Sequence, residues 1–194
     1  MKLFAVILTL CFLQSMSLFG QVTPTFGRTW GEAPSGLLEW AGKHKLDVTV
    51  ALPGDSPSVQ IFTFKQPGGG LPGHPASAIE ARFFQDRLYE LTVFYEYPSK
   101  TPDEVRVVFH EMKGHLAKSR GEFKLNGRSQ NVSDGYLTRE ESFHHEPTRG
   151  SFLLMAYTSV EDTLRESGEA RFSIIYHESK FGPPAVGVLP DKEE

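Results

Sequence analysis

The sequence predicts an α+β fold, an antiparallel sheet of about eight strands with helices packed on one face. Three observations predict it. Several segments alternate apolar and polar residues with a period of two, most clearly "RLYELTVFYEY" at 87–97 and "EARFSIIYHE" at 169–178. One segment, 101–121, has a complete set of helix signals. The order of elements, a helix followed by four strands, occurs twice in succession, over 30–98 and 99–179, which points to two α-β4 repeats.

The first twenty residues, MKLFAVILTLCFLQSMSLFG, place one early lysine before an apolar run and finish in a less apolar tail, with Gly20, or Ser17 for an earlier cut, as the small residue before cleavage. That is the layout of a secretory signal peptide, with cleavage expected between 17 and 21. The apolar run is shorter than the ~20 residues of a spanning helix, so no stable membrane insertion is expected after cleavage. Cys11 is the single cysteine and lies inside this leader. The remaining domain, 21–179, must therefore rest on its core without disulfides. The expected location is outside the cytoplasm, periplasmic or secreted.

Next comes "PSGLLEWAGK" at 34–43, a short helix with Leu37, Leu38, Trp40 and Ala41 expected to face the core. "KLDVTVAL", "VQIFTF" and "AIEARFF" read as strands, the last forming a hairpin with 87–97 through a turn at Asp86 and Arg87. On that strand Tyr89, Leu91, Val93, Tyr95 and Tyr97 share one face by alternation. The loop "KQPGGGLPGHPAS", 65–77, reads as a mobile connection. In 101–121, Thr101 is the N-cap, Pro102 the first helical residue and Glu104 the partner in a capping box. Val105, Val108, Phe109, Met112 and Leu116 form one stripe, and Gly121 ends the helix. "EFKLNGRS" and "YLTREESF" read as further strands. "SFLLMAYTSV" at 151–160 is apolar on both faces and reads as a central strand. The segment 180–194, rich in proline and glycine and ending in charge, reads as a loosely ordered tail.

Composition and motif tests narrow the function. The net charge is −4, and removal of Lys2 with the leader takes it to about −5. No basic block occurs, so nucleic acid is not an expected partner. "HEMKGH" at 110–115 resembles a zinc-protease signature, but its histidines are five residues apart instead of four. They project from different sides of a helix and read as solvent-facing. The Gly68-x-Gly70-x-x-Gly73 pattern follows a strand, but Pro72 and Pro75 oppose the helix that a dinucleotide loop must open. Gly54-Asp55-Ser56 resembles an esterase nucleophile block, yet the chain has no downstream D-x-x-H and Pro57 makes it turn-like. No cofactor is expected.

Two candidate sites remain. His144, His145 and Glu146 are metal-competent, and would support a small metal-dependent hydrolase if Pro147 ended the strand and left the pair in a turn, with His177 joining them. On a continuous strand the two histidines point to opposite faces. The second candidate is an aromatic sheet face in which Tyr95 and Tyr97 would anchor a protein partner. "NVS" at 131–133 also fits a glycosylation acceptor.

The order of elements, from Trp30-Gly31 and its helix through the capped helix ending at Gly121, resembles the two-repeat architecture of the beta-lactamase inhibitor protein. Single repeats of this type also occur in small exported lipoproteins of outer-membrane assembly, and "RLYELTVFYEY" before a capped helix is similar to segments of exported bacterial proteins. The resemblance implies the repeat architecture. The chain lacks the inhibitor's cysteines, and no inhibitor contact residue maps onto a position here. The alternating aromatic strands and the absence of an assembled catalytic set make the expected function an exported, non-enzymatic binding or envelope-associated domain acting through protein contacts, with the metal-dependent hydrolase as the alternative.

Overall fold

The computed structural model describes residues 22–54, 58–165 and 167–184. The leader, Ser56 with its neighbours and the segment from 185 onward lie outside the described residues. Helix α1 (Pro34–His44) precedes strands β1 (Val48–Ala51), β2 (Val59–Lys65), a small pair β3 (Gly70–Leu71) and β4 (His74–Pro75), β5 (Ala78–Phe84) and β6 (Arg87–Glu96). Helix α2 (Pro102–Arg120) then leads to β7 (Lys124–Ser133), β8 (Tyr136–Thr148), β9 (Ser151–Asp162), β10 (Ser167–Glu178) and a 3-10 turn, Ser179–Phe181. Eight strands form one antiparallel sheet in the order β1-β2-β5-β6-β10-β9-β8-β7. Each half is a meander following its own helix, and the last strands of the two halves, β6 and β10, pair at the centre.

One cross-strand row shows why the sequence folds this way. Val48, Phe64, Ile79, Val93, Ile174, Met155, Phe143 and Leu125 stand opposite one another from β1 to β7. All eight are apolar, so one face of the whole sheet must be covered. Both helices cover it. Trp40 of α1 meets Phe64 edge-on at 6.0 Å, and Phe109 of α2 lies 5.7 Å from both Tyr157 and Phe172 and 6.0 Å from Phe143. On α1 it is Leu37 and Ala41 that are buried, whereas Leu38 is exposed, correcting the expected helix face.

The predicted cap of α2 is present. Glu104 N–H donates to Thr101 Oγ1 at 3.4 Å, and Thr101 N–H donates to Glu104 Oε2 at 2.7 Å. The β5–β6 turn falls on Gln85 and Asp86, both at positive φ, one residue earlier than the sequence reading. Asp134-Gly135 makes the equivalent turn between β7 and β8, giving a long hairpin that the sequence divides too short.

Two further differences bear on function. A bulge opposite Arg82 and Phe83 inserts Tyr89, so Leu88 instead of Tyr89 pairs with Phe83 in the core. The loop expected to be a mobile connection folds back as the β3–β4 hairpin. Ala76 N–H donates to Gly69 O at 2.7 Å, and His74 Nδ1 lies 2.9 Å from Tyr97 Oη. Gly70 at φ 146° permits this return, because a Cβ there would stand 2.6 Å from the His74 carbonyl.

Candidate functional site

Side chains alternate along a strand, so covering one face of the sheet leaves the other face as a second surface built from the same sequence. Here its central row reads Thr63, Glu80, Thr92, Ile175, Leu154, His144 and Lys124 from β2 to β7. Its middle is apolar and its ends are polar. Phe94, Phe152, Leu154 and Ile175 are half-buried on it. Among the described residues both helices lie on the opposite face. This explains the strand that the sequence presents as apolar on both sides: β9 buries Leu153, Met155 and Tyr157 under α2 and turns Phe152, Leu154 and Ala156 to the open side.

At one end of this face the β6 bulge assembles a compact group. His177 Nδ1 lies 2.9 Å from Glu90 Oε2, and Arg82 Nε lies 2.8 Å from Glu80 Oε1 and 3.4 Å from Glu90 Oε1. Phe152 stacks on the His177 ring with centroids 4.5 Å apart, while Tyr89 meets it edge-on at 5.8 Å. The Glu90 carboxylate accepts a hydrogen bond from Nδ1–H and so fixes the orientation of the ring. The imidazole thus stands between a carboxylate and two aromatic rings, an arrangement that orients it as a polar contact. At the far end of the same two strands, Tyr97, Pro98, Lys100, Thr158, Val160 and Arg171 help to line a cleft of about 530 Å³.

The helix-covered face holds a different polar group. Glu141 on β8 is 3% exposed and accepts hydrogen bonds from Arg106 Nε at 3.3 Å and Arg128 Nε at 3.1 Å. His110 Nε2 stands 3.2 Å away. Burial by itself would raise the Glu141 carboxyl; the Arg128 hydrogen bonds, with the charges of His110, Arg128 and Arg106, outweigh it and hold the group below its ordinary value. Burial, then Lys113 and Arg106, lower the pKa of His110 against the pull of Glu141. This cluster ties α2 to the β7–β8 hairpin. It also corrects the reading of His110 as solvent-facing: the ring turns to the sheet, in contact with Phe109 and Phe143 as well. Glu141 was missed, although it falls in phase with the core residue Phe143 two positions on, and a carboxylate in that phase needs partners.

The proposed metal residues do not come together. His144 and His145 lie within the strand β8, on opposite faces. His144 Nε2 is 3.8 Å from Glu146 Oε2 on the open side, while His145 Nδ1 sits 3.0 Å from the Glu122 carbonyl and its ring packs on Phe123. His177 is separated from His144 by the whole of β9. Among the described residues no three His, Cys, Asp or Glu side chains are grouped to hold an ion. Of the proposed protein-binding pair, Tyr95 is 2% exposed and stacks on Phe172 at 4.9 Å beneath the helices; Tyr97 is half-buried. Tyr95 is therefore a core residue and cannot anchor a partner. No helix among the described residues is long and apolar enough to cross a membrane. Comparisons with protein-family models, curated proteins and solved structures find no match.

Proposed function

We propose that this chain is an exported binding domain that contacts a protein partner through the open face of its sheet, and that it is not an enzyme. The observation that carries the reading is the group of half-buried apolar side chains on the face opposite both helices: Leu154 and Ile175 paired in its central row, with Phe94 and Phe152 in the rows on either side. Apolar side chains in the middle of a surface with a polar border are what a protein interface buries. The Glu90–His177 pair and Arg82 supply directional hydrogen bonds at the border. The leader at 1–20 motivates export. The hydrolase alternative draws no support from His144, His145 and Glu146, whose side chains divide between two faces.

A photo-crosslinking amino acid at Leu154 tests this in the producing cell. The expected result is a discrete protein adduct from Leu154 and again from Phe152, with no such adduct from Val107 on the exposed side of α2. Equal labelling from all three positions, or none from the sheet, would refute the assignment.

A further inference from the structure

We propose that the protein self-associates by antiparallel pairing of β7 with β7 of a second copy, joining two sheets into one. This goes beyond the open-face reading and does not depend on it. The strand β7 is a sheet edge ten residues long, and every residue on it except Gly127 is exposed. Its outer row of backbone donors and acceptors has no strand beside it among the described residues, the arrangement that invites another strand. The opposite edge, β1, is only four residues long and is followed closely by Pro53.

The residues of β7 identify a second copy as the occupant, because they complement themselves about a two-fold axis through Ser129. In that register Arg128 faces Gln130 of the other copy, and Gly127 leaves room for Asn131. Asn126 is the extra residue of a bulge, falling between the pairs made by Leu125 and Gly127. Past the bulge the pairing resumes one step on, which puts Leu125 opposite Val132 on the helix-covered side of the sheet and Lys124 opposite Ser133, beside Asp134 at the turn. Leu125 and Val132 are 55% and 64% exposed, with nothing among the described residues to cover them. Without the bulge, Leu125 would point to the wrong face. In this register, opposite charges meet at both ends of the strand pair and no like charges are opposed. The helices do not obstruct it, since α2 packs over β9 and β10.

Sedimentation equilibrium of the purified protein over a dilution series tests the pairing. The expected species at high concentration has twice the mass of the chain. Leu125→Lys with Val132→Lys places like charges opposite each other and is expected to give a monomer, with a melting curve like that of the unchanged protein at dilutions where it too is monomeric. Leu125→Lys with Val132→Glu places opposite charges in the same positions and is expected to restore the dimer, which occurs only if residue 125 faces residue 132 of the other copy. A monomer at every concentration overturns the proposal. So does a dimer that survives the paired lysines, or a Lys/Glu variant that stays as monomeric as the Lys/Lys one.

Discussion

Tyr95→Lys is expected to unfold the protein or to cost more than about 4 kcal/mol of stability, whereas Tyr97→Lys costs about 1–2 kcal/mol. The two tyrosines are two residues apart on one strand and look equivalent in sequence. Tyr95 lies under the helices with its ring 4.9 Å from Phe172, and Gly70 of the folded-back loop closes over it at 3.4 Å from the Cβ position. A lysine there loses the aromatic packing and brings an unpaired ammonium into the core. Tyr97 is half-buried at the rim, where the loss is its hydrogen bond with His74 and a looser stacking on Phe172 at 5.9 Å. Urea denaturation followed by circular dichroism measures both. A Tyr95→Lys protein as stable as the Tyr97→Lys protein would mean that this end of β6 is exposed.

Glu141→Ala is expected to destabilise the protein by about 3 kcal/mol, toward the lower end of what breaking a buried ion pair costs, because Arg106 and Arg128 keep part of their hydration. The pH dependence carries a separate signature. The folded state holds the Glu141 carboxyl below its ordinary value of 4.5, so its contribution is complete above that pH and is lost as the pH falls through the folded value. The folded state also holds His110 below 6.5, so as the pH falls past 6.5 the unfolded chain takes up the proton first and stability declines there too. Both groups make the fold weaker in acid. Glu141→Ala removes the lower step and leaves the step near 6.5 in place. Denaturation midpoints across this range separate the two; an alanine variant within about 0.5 kcal/mol of the parent would show that the cluster is ornamental to the fold.

The helix α2 was legible because its information is local: Thr101, Pro102, Glu104 and Gly121 each satisfy a backbone requirement within a turn of where they stand. Strand positions were legible for the same reason, through alternation. What alternation does not reveal is which face is covered. It grouped Tyr95 with Tyr97 correctly and left their burial undetermined, because the burial comes from α2 and the 66–75 loop, which lie outside the strand. It also failed at Tyr89, where a single inserted residue reverses the phase; no local signal distinguishes that bulge from a regular strand. The separation of His144 from His145 was readable from the strand period alone. The Glu141 cluster was not, since its partners come from α2 and β7 and meet only when the hairpin docks on the helix.

The open face follows from facts already in the sequence: two helices are enough to cover one side of eight strands, and β9 is apolar on both sides. The proposed role in binding makes this face the one that a partner would cover. Hydroxyl-radical footprinting, comparing the protein in the cells that produce it with the same protein purified, tests this most directly. Phe152, Leu154 and Ile175 are expected to be oxidised in the purified protein and protected in the cells, with Val107 on α2 oxidised equally in both. Equal oxidation of the three sheet residues in both samples would contradict a role for this face in binding.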